Sequence, residues 1–260
     1  MIRTFRMQMA KVFHRADVIT CIAVFFLIPL LIAFLISIRS GIIQIGDSVF
    51  SAFGYASVII GLLKSLFLLG GIIVLITTSV VSREIDTRLD CTFFTKLGKQ
   101  EHLFISKNMA VDCAIFCIFA SLIVSSLLGW LIILRDTEFG STVILAEDRD
   151  EGRQLIFSIV SAFLEMIAAE KIAAFISLLM KYSRAVIVNL VIIIGIRILA
   201  NIETIRRWNP SFIGDGTGLF EFTGDKLMER GFEGVAVLLI YAAVFAAAGT
   251  IAYRKMDLVR

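Results

Sequence analysis

The chain is short of proline, histidine and charge: two prolines, two histidines and 18% charged residues in 260 positions. Each scarcity excludes something. Water-soluble domains carry about 25% charged residues, so an ordinary soluble fold is ruled out. His14 and His102 sit in separate segments, and no HExxH sequence occurs, which removes the metalloprotease helix. Glu170-Lys171 is not the paired Glu-Glu of membrane-embedded proteases. There is no GxxxxGK[ST] sequence, and therefore no P-loop with which this chain alone could hydrolyse ATP. The four cysteines, Cys21, Cys91, Cys113 and Cys117, fall in apolar runs or in the segment between the second and third of them. That argues against a disulfide framework. Cys113 and Cys117 are one helical turn apart without a third ligand nearby, and they read as small packing residues.

Apolar sequence is what the chain has in excess. Hydrophobic residues make up 58% of it and the mean hydropathy is +0.92. The runs are long and unbroken rather than alternating, so the expected fold is all-α: a polytopic membrane protein forming a single transmembrane domain. Six transmembrane helices are expected at 18–38, 57–81, 109–134, 155–180, 185–200 and 232–253. All are near or above the roughly 20 residues needed to cross, except the short fifth. Six spans put both termini on one side. Fourteen Lys and Arg then fall on the terminal side against eight on the other, which favours cytoplasmic N- and C-termini in the inner (plasma) membrane.

Residues 1–16 set Ile2, Phe5, Met9, Val12 and Phe13 against Arg3, Arg6, Lys11, His14 and Arg15. This is the pattern of an interfacial helix leading into the first span. The run at 18–38 is too long for a signal-peptide core and lacks a clear cleavage site, so it is expected to stay attached. The outer loop 201–231 mixes Trp208, Phe212, Phe220 and Phe222 with Pro210 and several glycines. Such a segment suits a dip back into the interface. Its Gly-Asp-Gly-Thr-Gly run lacks a following Lys-Ser/Thr and is not read as a phosphate loop.

Between the second and third spans, residues 82–107 form a charge-mixed stretch of helical period. Ile85, Leu89, Phe93 and Leu97 recur every four residues and share one face. Glu84, Asp86, Arg88, Asp90 and Lys96 occupy the rest, Glu84 and Arg88 being a favourable pair four apart. Gly98 marks the end. Such a helix either rests on headgroups or offers its charged face to a soluble partner.

Ionisable residues inside the apolar runs are Lys64, Asp112, Glu165, Glu170, Lys171 and Arg197. Each costs about 2.5–3.5 kcal/mol near a helix centre and needs a partner or water. Glu165 lies about 15 Å down the fourth span and Arg197 roughly 18 Å up the fifth, so the two are expected to meet near mid-bilayer. Lys64 is placed to snorkel, and Asp112 lies close to the inner surface. Glu165, Glu170, Lys171 and Arg197, with Lys64, either line a translocation path or fix helix register. Gly70-Gly71 reads as a close helix crossing.

At this point the chain resembles the ABC-2 family, the membrane subunits of bacterial ATP-driven exporters. The family's coupling segment reads as a Glu, three residues, then Gly-Thr, with a proline turn and a Lys before the third span. Glu84 and Lys107 match; Arg88-Leu89 stands for Gly-Thr, and Leu97-Gly98 stands where proline is expected. The ending Tyr253-Arg254-Lys255-Met256-Asp257-Leu258 is similar to the family's aromatic-basic-basic-x-Asp-Leu. The resemblance implies a permease dimer, of identical or different subunits, above separately encoded P-loop ATPases. Glu84, Ile85, Arg88, Leu89, Phe93 and Lys96 would form the coupling helix. ATP and Mg would sit in the partner, with no cofactor on this chain and no nucleic acid bound. The cargo would be an amphipathic peptide, such as an antimicrobial peptide, a drug or a lipid. The competing reading is an ATPase-independent immunity or sensor protein that binds a peptide at its outer loops.

Overall fold

A computed structural model describes residues 2–39, 49–87 and 100–256. Ten α-helices account for most of them: α1 (Ile2–Phe13), α2 (Ala16–Ser37), α3 (Ala52–Ser65), α4 (Leu68–Asp86), α5 (Gln100–Gly129), α6 (Arg149–Leu179), α7 (Tyr182–Leu199), α8 (Glu203–Arg206), α9 (Pro210–Asp215) and α10 (Gly224–Lys255). A π turn, Trp130–Leu134, extends α5, and among the described residues the one β feature is an isolated bridge between Phe50 and Gly140. Five helices, α2, α4, α5, α7 and α10, are long and apolar enough to cross a membrane. The chain is thus built as a polytopic helical membrane protein. The 31-residue α6 is equally long but carries Glu165, Glu170 and Lys171 along its length.

The bundle has a near end, where α1 lies, and a far end. α1 turns Thr4, Gln8 and Val12 inward, one residue per turn, against α5. Its exposed Ile2 and buried Gln8 differ from the apolar face expected of it.

α2 and α5 pack closely because Gly129 lets α5 approach Ala33 and the Pro29 carbonyl. Pro29 interrupts the hydrogen-bond ladder of α2. The Tyr55 hydroxyl donates to the Pro29 carbonyl at 2.5 Å, and the Ser125 hydroxyl donates to the Phe26 carbonyl. These donors tie α2 to α3 and α5 near the proline.

The second apolar segment is not one helix. α3 starts with Ser51 as its cap, the hydroxyl accepting from the Gly54 N–H. It stops at Ser65, and α4 restarts at Leu68 after Phe67, whose φ is 57°. A left-handed phenylalanine is strained, so the surrounding contacts must hold it. They do: the Arg197 guanidinium lies over the Phe67 ring at 5.4 Å, and Lys64 is fixed by two carboxylates.

α6 begins where the Asp148 side chain accepts from the Glu151 N–H, and it runs parallel to α10 from the far end. Phe157 meets Phe232 high in this pair, and Phe175 meets Phe245 lower down. Asn189 on α7 donates to Thr78 on α4 and to Ser177 and the Ala173 carbonyl on α6, tying three helices together. Near-end packing is completed by Phe104 stacked on Tyr253 at 5.1 Å.

Candidate functional site

Among the described residues, three groups of charged side chains lie within the bundle. The central one forms where α3 breaks. Lys64, at the last turn of α3, places its ammonium 2.5 Å from Glu165 Oε2 on α6 and 2.8 Å from Asp215 Oδ1 on α9. Arg197, at the last turn of α7, reaches the same Asp215 oxygen at 3.6 Å. Two cations therefore face two carboxylates, and Lys64 is only 7% exposed.

Short-range sequence explains how α9 arrives there. The Asn209 side chain accepts from the Ser211 and Phe212 N–H groups, Pro210 takes the first helical position, and Gly216 (φ 68°) closes the other end. These are standard start and stop signals. The Asn209 amide also donates to the Ile196 carbonyl at 2.8 Å, which fastens α9 to the top of α7. Gly214 faces Glu165 so closely that a Cβ there would collide with its carboxylate, and a Cβ on Gly216 would meet Ser158 at 2.7 Å.

A cavity of about 60 Å³ opens beside this cluster, lined by Lys64, Phe67, Gly70, Glu165, Arg197 and Pro210. Gly70 thus borders a cavity, and a Cβ on it would press on Ile193 of α7. A larger cavity of about 310 Å³ lies on the other side of α9, where Phe212, Ile213 and Gly216 line it. The six-residue α9 is the wall between them.

The second group is separate. Lys171 on α6 donates to both oxygens of Asp112 on α5 at 2.7 Å and lies 2.7 Å from the fully buried carboxylate of its neighbour Glu170. Two carboxylates share one ammonium.

The third group is at the near end. Glu84 on α4 lies 2.7 Å from the Lys11 ammonium of α1 and 3.0 Å from that of Lys107 on α5. Glu84 is 4% exposed and Lys107 is fully buried. Close by, the Arg15 guanidinium donates to the Ser79 hydroxyl at 2.5 Å, and the Asp86 carboxylate accepts from the Tyr182 N–H at 2.7 Å.

No family model, no curated protein and no solved structure matches this chain.

The sequence-derived site residues distribute as follows. Lys64, Glu165 and Arg197 come together, although Glu165 and Arg197 are joined through Lys64 and Asp215 rather than face to face. Lys64 does not snorkel; burial beside two acids holds it inside. Glu170 and Lys171 form a different group, which also draws in Asp112. Glu84 is enclosed rather than displayed, and Ile85 packs against the near-end core of Val81 and Tyr253. Both belong to the last turns of α4. Arg88, Leu89, Phe93 and Lys96 lie outside the described residues. Asp215 is the member that charge-in-span reasoning overlooked, because it stands in a polar loop. The Asn-Pro start and the Gly-Asp-Gly stop around it were the available signal. Among the described residues no three His, Cys, Asp or Glu side chains gather to hold a metal ion.

Proposed function

We propose that the chain is the permease subunit of an ATP-driven exporter, with six crossing helices, its near end in the cytoplasm and its cargo path at the Lys64–Glu165–Asp215–Arg197 cluster. The observation that carries this reading is the place of that cluster. It sits at a helix break, beside one cavity and behind a six-residue wall that borders a second. Ion pairs that only fix register need neither the break nor the cavities. Intramembrane charges that face a cavity are functional candidates by default.

In this reading Asp215 is a latch. It joins α9 to α3 through Lys64 and to α7 through Arg197. Movement of α3 relative to α7 separates those cations, frees the carboxylate and lets α9 swing, connecting the two cavities. The drive comes from a separately encoded P-loop ATPase holding ATP and Mg, which engages the 88–99 segment. Two permeases, identical or not, assemble above two such ATPases. α1 rides with the drive, because Lys11 on α1 and Lys107 on α5 grip the same Glu84 at the end of α4. The cargo class is an amphipathic peptide, drug or lipid.

Glu84 is unsuited to a docking test, since reversing its charge would crowd a third cation between two lysines. Arg88→Glu with Lys96→Glu is the cleaner pair, expected to weaken ATPase association without loss of the folded chain. The deciding measurement is purification from the native membrane in mild detergent with mass spectrometry of the bound proteins. A stoichiometric P-loop ATPase is expected. A stable preparation that repeatedly lacks one overturns the exporter and favours a sensor or immunity protein, for which the larger far-end cavity is the natural binding place.

A further inference from the structure

The far-end cavity has chemistry of its own, independent of any ATPase. Glu233 is shared between two guanidiniums: Oε1 accepts from Arg207 at 2.5 and 3.0 Å, and Oε2 accepts from Arg230 at 2.8 Å. One carboxylate between two cations leaves positive charge in excess. Arg206 has no ion-pair partner among the described residues; its guanidinium lies over the Phe212 ring at 4.1 Å. Glu203 and Glu221 also line the cavity and have no ion-pair partner among the described residues. The cavity therefore presents unneutralised groups of both signs.

An apolar track leads to its rim. Ile187, Val191, Ile194 and Ile198 follow helical spacing up one face of α7, each at least 42% exposed, and Ile202 and Ile205 are exposed in the turn and short helix after it. From Ile187 to Ile198 the track is about 17 Å long at 1.5 Å per residue. Glu203 and Arg206 follow it in the next short helix, and Trp208 is exposed just after them, as residues of a membrane–water interface are.

We propose that this cavity is a headgroup site for a zwitterionic phospholipid, with the phosphate on Arg206 and the excess charge of the Arg207–Arg230 pair, the ammonium on Glu203 and Glu221, and the acyl chains on the α7 track. A headgroup of one sign would leave half of these charges unanswered. A free phosphate or free phosphoethanolamine would leave the track unused. A lipid joins both features in one molecule.

The test uses the full chain in detergent and native mass spectrometry against phosphatidylethanolamine and phosphatidylglycerol with the same acyl chains. Phosphatidylethanolamine is expected to bind the more tightly. Arg206→Gln is expected to weaken it about tenfold, as loss of one charge-assisted hydrogen bond implies. Glu203→Gln with Glu221→Gln is expected to abolish the preference over phosphatidylglycerol. Ile198→Gln should weaken both lipids alike, while free phosphoethanolamine and inorganic phosphate should displace neither. All the substituted residues are exposed or half-exposed, and an unchanged unfolding midpoint certifies each variant. Equal binding of the two lipids, or indifference to Arg206→Gln, overturns the proposal. So does displacement of the lipid by phosphoethanolamine alone, or a cavity that binds a mixed-charge amphipathic peptide but neither lipid.

Discussion

The near-end and central charge groups use the same residue types to opposite ends. At the near end one carboxylate, Glu84, is enclosed by two lysines from neighbouring elements, and it lines neither cavity. At the centre two carboxylates answer two cations, one carboxylate sits on a helix of six residues, and the other three charges line a cavity. A buried ion pair is poor evidence of stability in itself, because desolvation consumes most of the attraction. What differs is what each group can do when it breaks. Parting the near-end group exposes buried charge with nowhere to go. Parting the central group turns its charges toward space that is already open. The first is a clamp and the second is a latch.

Removing one member from each separates the two roles. Glu84→Gln is expected to have the largest effect, about 3–5 kcal/mol of lost stability, since it deletes the anion that Lys11 and fully buried Lys107 share. Unfolding in mixed micelles would measure it, and α1 should become protease-sensitive in the same variant. Lys64→Met should cost less, about 2 kcal/mol, because Arg197 still faces Asp215 and the cavity admits solvent to the acids left behind. Its signature is different: a folded chain in which α9 has lost one tether, read as faster thiol labelling of a cysteine placed at Ile193. If Lys64→Met destabilises as much as Glu84→Gln and leaves labelling unchanged, the central group is a second clamp.

Most of the architecture was legible in the sequence, and what escaped did so for physical reasons. Long apolar runs locate helices because backbone groups in lipid must pair within their own segment. That logic has no purchase on a break inside a run. The stop between α3 and α4 goes with partners that lie outside residues 57–81: Glu165 and Asp215 on Lys64, and Arg197 over Phe67. Insertion cost singles out charges inside spans and speaks only to those, so Asp215 was invisible to it. Glu84 was assigned to the charged face because the period of four puts Ile85, Leu89, Phe93 and Leu97 on the apolar one. The lysines that enclose it come from α1, distant in sequence, and from α5, at the other end of the 82–107 stretch.

Gly214→Ala probes the latch from its other side. The added methyl would lie 2.6 Å from Glu165 Cδ and 2.7 Å from its Cβ. Either Glu165 leaves Lys64 or α9 moves away from α6. Overpacking of this kind costs about 1–3 kcal/mol. The thiol-labelling assay should therefore show the same opening as Lys64→Met with all four charges still present. Agreement between the two variants would assign the opening to the position of α9 rather than to the loss of a charge.

The smallest effect belongs to a pair that looks stronger on paper than either group. Arg39 donates through two nitrogens to one oxygen of Glu138 and lies over the Phe139 ring, joining the end of α2 to the loop after α5. Arg39 is 69% exposed and Glu138 52%. In water the attraction is screened, and ordering two long side chains offsets what is left. Arg39→Gln is expected to leave the unfolding midpoint unchanged at ordinary ionic strength. Near-end and central groups earn their roles from burial and from what surrounds them, and a measurable loss here would mean that short ionic distance alone decides the matter, which would undo the distinction between clamp and latch.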